Sequence, residues 1–207
     1  MFHIINFLKK RIPSFKGFIF KIIYSSKKIK FGKQFKCVSF PSISITDKAE
    51  IVIGDNVYFG DCVEIRSHKN SKIIIGNSVK IDRGVRILGT NDATIKISSN
   101  VKIGLHSVIN GGDSVSIGHK SLISGFVYVQ TSMHKYDEKK FIQDQGYNHS
   151  RIKIGDDVWI GAHATILPGC HIDNGSIVGS NAVVTKSFGK NVIVAGVPSE
   201  LIKKRFD

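Results

Sequence analysis

Residues 133–151 hold a dense group of side chains that can transfer protons or bind polar ligands: His134, Tyr136, Asp137, Glu138, Asp144, Tyr147 and His149. An imidazole suits the role of general base because its unperturbed pKa lies near neutrality. His134 opens the segment directly after a predicted strand, so rigid structure can hold it in place. The segment therefore predicts acid–base chemistry with His134 as the base and His149 as the second candidate.

The other histidines and the cysteines give weaker signals. Four histidines point outward by their phase in the repeat described below and are interpreted as surface side chains: His106, His119, His163 and His171. The three cysteines, Cys37, Cys62 and Cys170, lack the spacing of a metal site, so no metal is predicted. They also cannot all pair, which favours reduced thiols in the cytoplasm.

A six-residue period on both sides of the segment reveals the elements that must position it. Eighteen apolar positions, here called rungs, follow this period: residues 53, 59, 65, 75, 81, 87, 97, 103, 109, 117, 123, 129, 154, 160, 166, 172, 178 and 184. All are Ile, Val or Phe. A period of six fits neither a helix nor a lone strand. Three successive groups of rungs begin 22 residues apart, at Ile53, Ile75 and Ile97, so three short strands make one coil.

These coils predict an all-β fold, a triangular parallel β-solenoid of about six coils. One strand cannot bury its own apolar stripe, so stacked coils must share a core. Gly follows eight of the eighteen rungs, where a tight corner is expected to need its permissive dihedral angles. The series of rungs is interrupted between Val129 and Ile154, which predicts a long loop there. A long loop on a rigid scaffold is typical of a functional site.

The hexads, the stretch "IGDDVWIGAHATILPG" and the closing "VAGVPSELIKKR" resemble the hexapeptide-repeat acyltransferases over about residues 50–205. The resemblance implies a left-handed parallel β-helix that uses acetyl-CoA. The stretch from Gln130 to Ala162 is most similar to O-acetyltransferases of bacterial surface sugars. Many members carry an Asp-His pair upstream of the loop, whereas this chain has Thr131, Ser132 and Met133. What orients His134 is therefore unassigned.

The resemblance also implies roles for individual residues. His134 matches the catalytic base, and a solvated loop histidine is the alternative. Asn110, Asp137 and His149 are candidates for binding the acceptor. Asn110 also fits a turn-forming "NGGD" corner, and Asp137 fits a solvated loop equally well.

The coenzyme is expected along the surface from Trp159 to Ala182. Gly161, Ala162, Gly179 and Ala182 are small enough for the pantetheine arm to approach, and Gly161–Ala162 is the expected source of oxyanion donors. Lys186 and Lys203 are candidates for the phosphates. Trp159 alternatively covers a coil edge or a subunit contact. The family implies a homotrimer with sites in clefts between neighbouring prisms.

The charge divides the chain into three expected parts: a basic amphipathic segment at 1–40, the β-helix at 41–195 with its active-site loop 133–151, and a tail at 196–207. Residues 1–36 carry ten Lys or Arg and no acid, which leaves 20 basic and 16 acidic residues elsewhere. Such a segment indicates contact with anionic lipid at the inner face of the cell membrane. The alternative is a cap on the first coil.

The sequence thus predicts an acetyl-CoA-dependent O-acetyltransferase acting on a sugar of a surface polysaccharide or its precursor. N-acetylation of an amino-sugar nucleotide is the alternative within the same chemistry. A metal-dependent carbonic anhydrase of the same scaffold needs three converging imidazoles, which the spacing does not offer. A non-catalytic scaffold or nucleic-acid binder would account for the pI of about 9.7, but the charge is confined to the arm and no nucleic-acid motif is present, so no nucleic acid is expected.

Overall fold

The structure is a computed structural model that describes residues 2–206, with side chains described for residues 11–206. One helix, α1 (Phe2–Tyr24), precedes twenty-five strands. In chain order these are β1 (Ile29–Phe31), β2 (Lys36–Cys37), β3 (Ser42–Ile45), β4 (Glu50–Ile53), β5 (Tyr58–Phe59), β6 (Glu64–Ser67), β7 (Lys72–Ile75), β8 (Lys80–Ile81), β9 (Arg86–Gly89), β10 (Thr94–Ile97), β11 (Lys102–Ile103), β12 (Val108–Gly111) and β13 (Val115–Ile117). They continue with β14 (Leu122–Ile123), β15 (Tyr128–Gln130), β16 (Ser132–His134), β17 (Tyr147–His149), β18 (Ile152–Ile154), β19 (Trp159–Ile160), β20 (Thr165–Ile166), β21 (His171–Ile172), β22 (Ile177–Val178), β23 (Val183–Val184), β24 (Val192–Ala195) and β25 (Glu200–Lys204).

Three sheets form the walls of the prism. Wall A contains β1, β4, β7, β10, β13, β18 and β21, in that order. Wall B contains β2, β5, β8, β11, β14, β19, β22, β24 and β25, and wall C contains β3, β6, β9, β12, β15, β20 and β23. Within each wall, equivalent strands of successive coils pair in parallel, as in Ile53↔Ile75 and Ile75↔Ile97. The predicted parallel β-helix is confirmed.

The core is the column of rungs. All eighteen predicted rungs are buried, and each is at most 1% exposed. The residues two positions earlier, such as Val57, Val79 and Val101, are buried with them because alternate side chains of a strand face the same side. Each six-residue unit therefore forms one wall of one coil and directs two side chains into the core.

The glycines after the rungs were expected to provide unusual dihedral angles, but the structure shows another reason for them. Gly76 and Gly104 do not have positive φ angles. A Cβ on Gly76 would lie 2.7 Å from the backbone nitrogen of Ser99, and one on Gly104 would lie 2.6 Å from that of Gly125. The left-handed conformation falls two residues after these glycines, for example at Ser78. Stacked corners therefore need glycine for close approach, and a later corner residue makes the turn.

The prism begins before the predicted boundary at residue 41. Strands β1 and β2 already pair with β4 and β5, so the first coil starts at Ile29. Helix α1 packs on β2 and closes this end. Within the residues described, no helix is both long enough and apolar enough to cross a bilayer.

The C-terminal region is more ordered than the predicted tail 196–207. Strand β25 runs antiparallel to β24 and extends wall B, with Ala195 paired to Glu200. Arg205 then donates from Nη1 to Asp157 Oδ2 (2.8 Å) and to the carbonyl oxygen of Gly175 (2.9 Å). Residues 200–205 are thus fastened to the last coils.

Candidate functional site

The segment that interrupts the rungs leaves the prism at the corner between walls C and A. After β15, strands β16 and β17 form an antiparallel hairpin, with a short 3-10 turn at Ile142–Asp144 between them. Its register pairs Ser132 with His149 and His134 with Tyr147. Alternate residues of a strand share a face, so these four side chains lie on the same face of the hairpin.

This hairpin face is a continuous polar surface. Ser132 Oγ and His149 Nδ1 are hydrogen-bonded at 2.8 Å. The ring of Tyr147 lies 4.1 Å from that of His134 and 6.0 Å from that of His149, measured between centroids. All three rings are exposed. The contacts hold two imidazoles on one surface, with a phenol between them.

A groove of about 440 Å³ runs along the same corner below the hairpin. Its walls come from successive coils and from the hairpin: Lys69, Thr90, Asn91, Asn110, Gly112, Ser132, Tyr147 and His149. The structure therefore brings together Asn110 and His149, two of the three residues predicted to bind the acceptor. Asp137 is exposed farther along the loop and is not among these lining residues. His134 is also not among the lining residues. It belongs to the pair His134–Tyr147, which is the next pair on this hairpin face after Ser132–His149.

Thr131 supports the floor of the groove and was not predicted to do so. Its fully buried Oγ1 accepts hydrogen bonds from the backbone amides of Gly112 (2.8 Å) and Asp113 (3.0 Å). The same hydroxyl donates to the carbonyl oxygen of Asn110 (3.0 Å). It therefore ties the start of the hairpin to the "NGGD" corner below. The sequence signal was the departure at Thr131, Ser132 and Met133 from the Asp-His pair expected from the resemblance.

The residues predicted to line the coenzyme path lie at another corner, between walls B and C. Gly161 is buried, and its amide donates to the carbonyl oxygen of Val178 (2.8 Å). That N–H is therefore committed to coil stacking and cannot be the expected oxyanion donor. Ala182 is fully buried in the core, so its side chain cannot contact a ligand on the outer surface. Ala162 and Gly179 are partly accessible and remain candidates.

Trp159 stands on the outer face of wall B beside a cavity of about 450 Å³. Its indole Nε1 donates to Ser124 Oγ on the coil below (3.1 Å). The cavity is also lined by three cationic side chains, Lys102, Lys120 and Arg205. Sequence reasoning missed Lys102 and Lys120 because their closeness to Trp159 depends on the pairing of coils that are far apart in the chain.

The two lysines proposed for the phosphates have different surroundings. Lys186 Nζ pairs with the carboxylate of Glu200, at 2.6 and 2.8 Å. Lys203 is exposed on β25. Lys186 therefore has to exchange a partner before it can bind a phosphate, whereas Lys203 is accessible.

Comparison with known proteins finds similarity to acyltransferases that carry hexapeptide repeats. The model "Bacterial transferase hexapeptide (six repeats)" matches residues 151–186. The chain is similar to this family over that stretch, which contains β18 to β23. An Escherichia coli protein named "Putative lipopolysaccharide biosynthesis O-acetyl transferase WbbJ" is 36% identical over 100 residues, 44% of this chain and 51% of its own length. The E. coli galactoside O-acetyltransferase is 35% identical over 91 residues, 44% of each chain. The chain spans about half the length of these curated relatives.

Solved structures share the hexapeptide fold across most of the chain. A mutant of AntD, an N-acyltransferase from Bacillus cereus in complex with an amino-sugar nucleotide and coenzyme A, superposes with a TM-score of 0.62. That alignment has 21% identity and covers 86% of this chain and 84% of AntD. The polysialic acid O-acetyltransferase OatWY gives a TM-score of 0.60 at 23% identity, covering 85% and 89%. These likenesses establish the fold.

A metal centre finds no support in the part of the chain that is described. No group of three or more His, Cys, Asp or Glu side chains converges there as a metal would require. The two hairpin imidazoles are instead engaged with a hydroxyl and a phenol ring.

Proposed function

We propose that this chain is an acetyl-CoA-dependent O-acetyltransferase that acts on a sugar hydroxyl in surface polysaccharide biosynthesis. The observation that carries the proposal is the hairpin face, which holds His134 and His149 at the only break in the buried rungs, beside a polar groove. The O-acetyl transferase names of the two E. coli relatives support the same reaction.

In the proposed reaction the acceptor hydroxyl attacks the thioester carbonyl directly. His134 removes the hydroxyl proton as the new C–O bond forms. Collapse of the tetrahedral intermediate breaks the C–S bond, and the proton leaves with the thiol of coenzyme A. No acyl-enzyme is needed, so no nucleophilic serine or cysteine is assigned.

The groove offers polar partners for a sugar. Asn110 and His149 present an amide and an imidazole to the same groove, and the hydrogen bond to Ser132 orients the His149 ring. A carbohydrate needs several fixed donors and acceptors in a shallow concave surface. We therefore assign acceptor binding to Asn110 and His149, and the general base to His134 at the outer end of the same face.

The proposed base and the coenzyme path lie at different corners of one prism. The hairpin occupies the corner between walls C and A, whereas Gly161, Ala162 and Gly179 occupy the corner between walls B and C. Transfer requires the thioester to lie within contact distance of the base. We infer that a neighbouring prism supplies the second corner, as in a homotrimer.

We propose that acetyl-CoA runs along Trp159, Ala162 and Gly179, with cations at either end of this path for its phosphates. Lys203 is accessible at one end, and the cavity beside Trp159 offers Lys102 and Lys120 at the other. Arginine and lysine are the usual partners of phosphate oxygens.

The two buried thiols, Cys37 and Cys170, fit a reducing cytoplasm.

The test is release of coenzyme A from acetyl-CoA with a panel of sugar acceptors, including an amino-sugar nucleotide. We expect His134→Ala to lower kcat by about 10²- to 10⁴-fold, the range for loss of a general base. His149→Ala should mainly raise the KM for the acceptor. His119→Ala, which removes an exposed imidazole on another corner, is the matched control.

Unchanged turnover in His134→Ala would refute the assignment of the base. A kcat loss confined to His149→Ala would move that role to His149. Acetylation of the amino-sugar nucleotide alone, among all acceptors, would replace O-transfer by N-transfer.

A further inference from the structure

Helix α1 presents an apolar face that no other described element covers. Phe15, Phe18 and Ile22 are 65%, 61% and 64% exposed, and Ile12 and Ile23 are exposed beside them. At 3.6 residues per turn these five side chains fall within an arc of about 140°. Isolated exposed apolar residues are ordinary, but a contiguous apolar face on one helix indicates a binding surface.

The opposite side of α1 is packed against the first coil. Phe20 is fully buried, and its ring lies 6.1 Å from that of Phe35 between centroids. Lys16 Nζ donates to the carbonyl oxygen of Val38 (2.8 Å), and Lys21 Nζ donates to that of Gly32 (2.7 Å). These contacts fix the rotation of the helix, so its apolar face is directed away from the prism.

The end of the prism that carries this face is basic. Lys36 lines a groove together with Phe18, and four exposed lysines lie on the first coil and its approach: Lys27, Lys28, Lys30 and Lys33. Residues 1–36 contain no acidic side chain, whereas the rest of the chain is nearly balanced. This positive charge would repel the same charge on a second copy of the chain. An apolar face beside a cluster of cations instead complements the acyl chains and head groups of an anionic bilayer.

We propose that α1 lies in the interface of an anionic lipid bilayer, with the prism standing on the membrane by its N-terminal end. At about 4.8 Å per coil, the hairpin leaves wall C about 19 Å above β3, and Trp159 lies about 24 Å above β2. The groove would then face a layer of head-group sugars or lipid-linked glycans rather than the acyl chains. This proposal rests on α1 and the lysines that follow it, and it does not depend on the proposed reaction.

The first test is co-sedimentation of the full chain with vesicles of phosphatidylcholine alone or of equal parts phosphatidylcholine and phosphatidylglycerol. The wild type should bind the anionic vesicles and lose binding at high salt. Replacing Phe15, Phe18 and Ile22 together by Ser should weaken binding at least about tenfold. Lys27→Glu, Lys30→Glu and Lys33→Glu together should weaken it about a hundredfold, since each lysine near such a surface contributes about fivefold.

Matched controls carry the same changes elsewhere. Lys96→Glu, Lys153→Glu and Lys190→Glu change the same charge on exposed sites above the first coil. Leu201→Ser with Ile202→Ser removes apolar side chains that are as exposed as those of α1. Both controls should bind like the wild type. Equal weakening in the control and α1 variants, or equal binding to neutral and anionic vesicles, would overturn the proposal.

The second test uses fluorescence quenching by brominated acyl chains to measure orientation. Trp159 is the only tryptophan, so the wild type should bind vesicles without being quenched. Phe18→Trp should add a quenched fraction. Quenching of Trp159 in the wild type would refute the upright orientation. If the serine variant instead shifted the protein to a smaller assembly in sedimentation velocity and the wild type ignored vesicles, the face would be a contact between copies.

Discussion

Replacing Thr131 by valine should uncouple the hairpin from the coil beneath it. The change keeps the shape of the side chain and removes only its hydroxyl. That hydroxyl is the acceptor for the amides of Gly112 and Asp113. The carbonyl oxygen of Asn110 keeps the amide of Thr131 as a partner at 3.1 Å, so the loss is concentrated on the two donors.

The magnitude follows from the burial of those donors. The Gly112 amide is buried, and leaving it unsatisfied costs about 1–3 kcal/mol. The Asp113 amide is partly buried and adds about 1 kcal/mol. Thr131→Val should therefore lower the free energy of unfolding by about 2–4 kcal/mol. Thr131→Ser keeps the acceptor and should cost about 1 kcal/mol for the lost methyl group.

Urea unfolding of both variants at one protein concentration measures this difference, because any assembly contributes to apparent stability. The KM for the acceptor should also rise in Thr131→Val, since Asn110 and Gly112 line the groove, while the KM for acetyl-CoA stays unchanged. Valine and serine variants that agree within about 0.5 kcal/mol, the scatter of surface substitutions, would refute the reasoning.

Two further predictions concern coil stacking and the thiols. Gly104→Ala should destabilise the chain by about 1–3 kcal/mol because its Cβ meets backbone atoms of the next coil, whereas Gly189→Ala, with no atom within 4 Å, should be neutral or slightly stabilising in the same urea assay. Burial raises the pKa of the Cys37 thiol to about 11 and also raises the pKa of Cys170. A thiol-reactive dye at pH 8 should therefore label one cysteine of the native chain, the exposed Cys62, and all three in denaturant; native labelling of Cys37 would contradict its burial.

The architecture could be predicted because repetition amplifies a weak local signal. One Ile-Gly hexad says little, but eighteen rungs in register leave the three-walled prism as the consistent solution, and every rung is buried. The first coil was missed because its rung in wall B is Cys37, which pairs with Phe59 of the next coil and falls outside the Ile, Val and Phe pattern. Helix α1 was anticipated only as a basic amphipathic segment or cap, since contact with Phe35 is what fixes its orientation.

The site was harder to predict because its parts meet across coils. Asn110 and His149 are 39 positions apart and share a groove only through the stacking of the coils. Ala182 was predicted to contact the coenzyme because its side chain is small. Its position two residues before rung Val184 instead directs the side chain into the core. At Gly161 the lack of a side chain lets the next coil pack closely, since a Cβ would lie 2.5 Å from the backbone nitrogen of Ser180.

The closed ends of the prism have a consequence for its length. A stack of parallel strands presents at each end a row of unpaired amides and carbonyls, which is a template for adding further strands from another molecule. Here α1 covers one terminus, and β25 turns antiparallel on β24 at the other. Both are departures from the repeat, and each interrupts the parallel stacking of wall B along which a filament would grow. The same non-repeating elements that obscure the pattern in the sequence thus keep a self-propagating architecture finite.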